Sequence, residues 1–336
     1  MNQKLSPATD KDILILNHWH ELPPPLFILA PPRSFTSIVC AMLGQHPQMY
    51  GLPEMHLFQV ETMTARAALI DQVPYPMGSG LLRAIAQLYY GEQNERTVQM
   101  ARRWLSRRPD VTTDFIFKAL ADRVFPLIVV DKSPSNTNNP NVLQRIHSLF
   151  PRARFLHLLR HPRGQGESVI RFIGEREKDG PIPPTHWLMQ ISSKNPVQAR
   201  TNGAEGLVLD PQVGWYRQHR TICDFLKTIS SETQMRVRGE DLLGEPDRVL
   251  REIVNWMGLR NDVSAIEAMK HPEASPYAFF GPPGGRYGND ENFLRDPSPR
   301  FGRTKALRLE GPLGWRTDGQ GFSDEVKRLA QELGYV

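Results

Sequence analysis

LFILAPPRSFTSIVCAML, residues 26–43, decides the fold. It reads as a buried β-strand, Leu26–Ala30, that runs into a turn and then into a helix starting near Ser34 to Ser37. Backbone N–H groups at a helix start lack intrahelical partners and lie at the positive end of the helix dipole, so a strand–turn–helix favours an anion. The turn lacks the glycines and the lysine of GxxxxGK[ST], so it is not a nucleoside-triphosphatase loop. Arg33 sits inside it instead, followed by Ser34, Thr36 and Ser37, whose hydroxyls can reach the same anion.

Residues 153–172, ARFLHLLRHPRGQGESVIRF, repeat that architecture. A strand, Phe155–Leu159, ends on Arg160. A turn with Pro162, Gly164 and Gly166 follows, and a helix begins near Glu167 with Ser168 in its first turn. Further apolar β-runs occur at Leu127–Val130 and, weakly, at Gln234–Val237. Between the second and third runs, Val142, Leu143, Ile146, Leu149 and Phe150 have the spacing of a one-sided helix. Strand, helix, strand over 127–159 is a βαβ unit, which implies parallel strands and a right-handed crossover. The expected class is α/β, a central parallel sheet flanked by helices. Arg160 and Ser168 then face the crevice beyond the carboxyl ends of the strands, where open α/β sheets bind ligands. An arginine fork with a hydroxyl suits a phosphate. Each residue has a plainer reading, an ion-paired arginine and a helix-capping serine, but two such sites on one sheet favour a ligand.

Composition narrows the partners. Hydrophobic residues make up 40% and charged residues 23%, ordinary for a globular protein. No run reaches the ~18 apolar residues of a membrane span, and the N-terminus lacks a secretory pattern. Cys40 and Cys223 have no metal-like spacing and read as buried thiols of a cytoplasmic protein. The net charge of +5 comes without a Lys/Arg run interleaved with aromatics, so a basic enzyme surface is expected rather than nucleic-acid binding. The expected layout is an N-terminal extension over 1–24 and a single domain over 25–336. Within it lie a helical insertion at 61–121, punctuated by Pro74 and Pro109, a lid at 178–211 with Trp187, Met189 and Ile191, and a late loop at 272–321.

These residues carry a resemblance. PPRSFTS resembles the 5′-phosphosulfate loop of sulfotransferases that use 3′-phosphoadenosine 5′-phosphosulfate (PAPS), and LRHPRGQGES resembles their 3′-phosphate motif. VRGEDLLGEPDRVLREIVNWMGL is similar to the strand and helix that close the same fold, so the likeness spans roughly residues 25–260. It implies a P-loop nucleotide-kinase-like fold, PAPS as donor, no required metal, the phosphosulfate held around Arg33–Ser37, and the 3′-phosphate held by Arg160 and Ser168. Two positions depart from the pattern. Phe35 stands where relatives often have Gly, and Gly239 where they often have an adenine-contacting Tyr. In the late loop, Arg286 after Gly284 and Gly285 is either a further nucleotide contact, as in relatives, or a solvated arginine.

Transfer to an alcohol needs a base. GLPEMHLF, residues 51–58, offers Glu54 and His56, which share a side if the stretch is extended. Glu54, among Leu, Met and Phe, is expected to have a raised pKa suited to taking a proton; His56 is the competing base. PEMHL resembles the segment that carries a catalytic Glu in bacterial and carbohydrate sulfotransferases. Lys132, in VVDKSPSN, reaches the same crevice and either contacts the transferred group or is neutralised by Asp131; Ser133 and Ser135 are lesser candidates to position the acceptor. Arg33, Thr36 and Ser37 can stabilise the leaving phosphate. The resemblance thus implies a cytoplasmic sulfotransferase acting on a small-molecule or carrier-bound alcohol, of lipid or polyketide type by fold-level analogy. The rival readings are a small-molecule kinase, which the missing Walker lysine opposes, and a non-catalytic nucleotide-binding protein. Neither the acceptor nor the oligomeric state is written in a motif.

Overall fold

The structure, a computed structural model, describes residues 18, 20–71, 77–176, 196–201, 204–302 and 306–336, with the backbone alone at 176, 196–201 and 204–209. Its strands are β1 Leu26–Leu29, β2 Met49–Gly51, β3 Ile128–Asp131, β4 Arg154–Leu159, β5 Pro196–Thr201, β6 Ala204–Leu209 and β7 Gln234–Arg238. Five of them form one all-parallel sheet in the order β2–β3–β1–β4–β7. Leu26 of β1 pairs with Val130 on one side and Arg154 on the other. Both faces of β1 are covered, which is why LFIL is continuously apolar rather than alternating. Leu26 and Ile28 pack with Met42, Leu250 and Ile253. Phe27 and Leu29 pack with Phe117, Ile146 and Phe155.

This order makes β1, β3 and β4 neighbours. The turns that leave their carboxyl ends therefore open into one crevice, and they carry the Arg33, Lys132 and Arg160 regions respectively. After β1 comes α1, Thr36–Leu43; before β4 comes α6, Pro140–Leu149, capped by the Asn139 side chain and buried through Val142, Leu143 and Ile146. Residues 61–121 hold helices as expected: α2 Met63–Asp71, α3 Ser79–Tyr90, α4 Glu95–Ser106 and the start of α5, Thr113–Arg123. Pro74 lies outside the described residues. Among those residues no helix is long and apolar enough to cross a membrane.

Several expectations need correction. The helix after β4, α7, spans Pro162–Arg176 and so starts at Pro162, not near Glu167. Proline suits a first helical position because its missing N–H has no partner there anyway. Ser168 thus lies in the second turn. Edge strand β2 went unseen because three residues carry no periodicity. Part of the segment 178–211, including Trp187, Met189 and Ile191, lies outside the described residues; within the rest, β5 and β6 pair as an antiparallel hairpin rather than an irregular loop. Asn-Gly at 202–203 is the sequence signal that marks such a hairpin. The late segment is a pinned strap. Leu309, Leu313 and Trp315 are buried with Phe322 and the C-terminal helix Asp324–Glu332. The Arg163 guanidinium donates to the carbonyls of Arg308 (3.0 Å), Pro312 (2.8 Å) and Glu310 (2.7 Å).

Candidate active site

No side chain caps α1; its N-cap is Phe35, so the first-turn amides are left to the crevice. The turn before it is strained. Arg33 and Phe35 have φ of 66° and 62°, a left-handed conformation that costs a non-glycine residue on the order of 1 kcal/mol. Between them Ser34 is fully buried, and its Oγ finds no hydrogen-bond partner among the described residues. A buried hydroxyl left unpaired is unfavourable unless a ligand satisfies it.

The second motif meets the first directly. Arg160 donates from Nη1 to the carbonyl of Arg33 at 2.5 Å, and its guanidinium lies 4.3 Å from the Phe35 ring centre. Burial pulls the Arg160 pKa down to about 10. The Phe35 ring also abuts Gly239 so closely that a Cβ at 239 would overlap it. The two departures from the family pattern are therefore one feature: the ring occupies room that a side chain at 239 would need. Arg33 donates from Nε to Ser168 Oγ at 3.2 Å, and its Nη1 pairs with the Asp290 carboxylate. Gln165 ties α7 to the turn through the Pro32 carbonyl at 2.9 Å.

Lys132 joins this cradle to Glu54. Fully buried, it donates to Ser37 Oγ at 2.8 Å and to Glu54 Oε1 at 2.6 Å. Asp131 is not its counter-ion. That carboxylate accepts from the Ser133 N–H and Oγ and from Asn136, and burial raises its pKa against those bonds. Glu54 also departs from expectation. Burial raises its pKa, but Lys132 and His56 outweigh burial and bring it down to about 2. His56 is buried and held at both nitrogens: Nδ1 lies 2.8 Å from Ser135 Oγ and Nε2 3.4 Å from Glu54 Oε2. The stretch is not an extended strand. His56 has a φ of 48°, yet the two side chains still meet.

Glu54 is seated by its backbone, whose N–H donates to the Gly288 carbonyl at 2.7 Å. Gly80 at the start of α3 comes so close that a Cβ there would strike the Glu54 carbonyl, so this position requires glycine. Three sets of contacts escaped the sequence reading: Arg66 with the Met55 and His56 carbonyls, Asp290 with Arg33, and Ser133 with the Met55 and His56 N–H groups. Asp290 caps the short helix Glu291–Arg295 and donates its N–H to Ser37 Oγ at 3.0 Å. Its proximity to Arg33 spans more than 250 positions and leaves no local pattern. Arg286 is exposed and stacks 5.0 Å from the Phe280 ring centre; no described contact brings it to Arg160 or Ser168.

With this geometry in hand, likenesses to known proteins are informative. Residues 24–180 match the sulfotransferase family. Nodulation protein NoeE of Sinorhizobium fredii (strain NBRC 101917 / NGR234) is 26% identical over 245 residues, 70% of this chain and 50% of NoeE, so the chain spans half the length of that relative. The sulfotransferase domain from the curacin biosynthetic pathway superposes with a TM-score of 0.70 at 22% identity, covering 94% of this chain and 99% of that one. The sulfotransferase domain of the Synechococcus PCC 7002 olefin synthase gives 0.66 at 23% identity, covering 94% and 96%. These two likenesses speak to fold. The chain thus has a sulfotransferase fold over most of its length, and its residues 24–180 match the sulfotransferase family.

Proposed function

We propose that the protein transfers a sulfuryl group from PAPS to an alcohol. The observation that carries this reading is Lys132, whose ammonium bridges Ser37 in the anion cradle and Glu54 on the acceptor side. The donor nucleotide fits the residues present. The α1 amides, the orphaned Ser34 hydroxyl, Thr36 and Ser37 would hold its phosphosulfate; Arg160 and Ser168 would hold its 3′-phosphate. The donor supplies an activated sulfuryl group and leaves as 3′,5′-adenosine bisphosphate, PAP.

Sulfuryl transfer, like phosphoryl transfer, rests on positioning and on cations set where charge develops. Lys132 supplies one such cation at the cradle, and Arg33 another. The acceptor oxygen bonds to sulfur as the sulfur–oxygen bond to the phosphate breaks, and the hydroxyl proton passes to Glu54. A carboxylate with a pKa near 2 is a weak base, but its low value depends on Lys132 as well as His56. An anion that draws the ammonium away removes the larger of the two charges that oppose burial, and the pKa rises. His56, fixed at both nitrogens, orients Glu54. We place the acceptor among acyl- or polyketide-type hydroxyls, free or carrier-bound, on the likeness to biosynthetic sulfotransferase domains. We assign the protein to the cytoplasm, where Cys40 and Cys223 stay free thiols.

Calorimetric titration with PAP and with ATP tests the donor, and a screen of alcohols, sterols, sugars and acyl carriers with labelled PAPS tests the acceptor. PAP binding with little ATP binding is expected; tight ATP binding without PAP binding would sink the reading.

A further inference from the structure

Helix α2 is short and only weakly apolar, and the residues it buries are Met63 and Arg66. Arg66 is 4% exposed, and among the described residues no carboxylate pairs with it. A buried guanidinium without an anion is unfavourable, so its hydrogen bonds must be worth holding. They go to two successive carbonyls, Met55 from Nη2 at 2.8 Å and His56 from Nε at 3.1 Å. Burial draws the Arg66 pKa down to about 9, still charged at neutral pH.

The same two residues are held from their N–H side as well. Ser133 Oγ accepts from the N–H of Met55 at 2.9 Å and of His56 at 3.1 Å, and donates to the buried Asp131 carboxylate at 3.0 Å. The main-chain N–H and C=O of both residues are thus held, and with them both polar groups of the peptide that joins them, at the point where His56 takes its left-handed φ of 48°. A non-glycine residue seldom takes a positive φ, and here the clamp holds the chain in it.

We propose that Arg66 is a positioning residue for the Glu54–His56 pair, holding the strained peptide that presents His56 to Glu54 and Ser135. This rests on the reading that the pair handles the acceptor proton. The planar fork matters, because a lysine offers a point charge to one carbonyl at a time. With the carbonyls fixed, the ring stays between Glu54 Oε2, 3.4 Å from Nε2, and Ser135 Oγ, 2.8 Å from Nδ1, a placement that favours one tautomer whenever the ring is neutral, Nε2–H toward the carboxylate. Once the carbonyls are released, the chain relaxes toward negative φ and the ring leaves both partners.

The test uses Arg66→Lys and Arg66→Gln in the full-length protein. It reads kcat at saturating PAPS, PAP affinity by calorimetry, and the ring-nitrogen resonances of 15N-labelled His56. Expected are PAP affinity within about twofold of wild type, kcat lower by about tenfold or more, and a single His56 tautomer giving way to averaging. Wild-type kcat and an unchanged tautomer in either folded variant would overturn the assignment, as would kcat and PAP affinity falling together. Should neither variant fold, Ser133→Ala releases the same peptide from its N–H side and must show the same split, or the assignment fails. A wild type that does not bind PAP refutes the donor reading, while the resonances still decide the role of Arg66.

Discussion

At the residue scale, the site is governed by which charge faces which. Glu54→Gln removes the proposed proton acceptor yet keeps a side chain that can face Lys132 and His56. Turnover should fall by about 10²–10⁴-fold, with PAP affinity by calorimetry nearly unchanged; normal turnover would remove Glu54 from the chemistry. Phe35 is the other decisive residue. Its ring carries the Arg160 guanidinium, and such stacking is worth about 0.5–2 kcal/mol. Phe35→Ala should therefore weaken PAP binding by about 2- to 30-fold while leaving the acceptor KM unchanged. Gly239→Ala should do the same by pushing the ring away from the other side of the contact. Equal PAP affinity in both variants would show that Arg160 needs no such support.

At the element scale, β4 and the helix Pro211–Leu226 bring two histidines together in the core. His157 Nε2 lies 2.9 Å from His219 Nδ1, both are fully buried, and Trp215 packs 4.5 Å from the His219 ring. Burial pushes the pKa of His219 down to about 3 and that of His157 well below its ordinary value. Both are neutral when folded, whereas the unfolded chain takes up protons below about 6.5. Stability is therefore full above pH 6.5 and declines as pH falls from there toward 3, by at most about 1.4 kcal/mol per histidine per pH unit. Denaturant midpoints at pH 7.5, 6.5, 5.5 and 4.5 should show this slope, and His219→Gln should flatten it. A wild-type midpoint constant from 7.5 to 4.5 would contradict the account.

The same scale shows what was readable from sequence. The LFIL run and the strand before Arg160 declared β1 and β4, because strands covered on both faces are apolar throughout. The cradle residues Arg33 to Ser37 were legible for the same reason: they sit directly after such a strand. Ser168 was placed a turn too early because Gly164 and Gly166 look like a loop, whereas Leu307 and Trp315 press on them inside α7. Arg66 was invisible, since an arginine in a short, mostly exposed helix is ordinarily solvated and only tertiary packing tells otherwise. The pKa of Glu54 was misjudged because its apolar neighbours are local in sequence, while Lys132 comes from 78 positions away.

At the scale of the whole molecule, the crevice is assembled from parts far apart in the chain. Arg33 belongs to the turn after β1, Ser168 to α7, and Asp290 to the late strap that Arg163 and Trp315 also fasten. The guanidinium of Arg33 touches the other two, so in the free protein the two halves of the cradle already grip each other. This has a bearing on time rather than on affinity alone. If the cradle holds the nucleotide as proposed, a nucleotide arriving by diffusion meets a latched door, and its capture waits for the Arg33 contacts to part. In stopped-flow experiments the observed rate of PAP capture should level off with rising PAP concentration, the plateau being the rate of unlatching. Asp290→Asn weakens the latch and should raise that plateau; a rate that climbs linearly to the highest concentrations would mean the door stands open. If it does plateau, the tempo of this enzyme is set in part by a carboxylate that touches neither the donor's sulfur nor the acceptor.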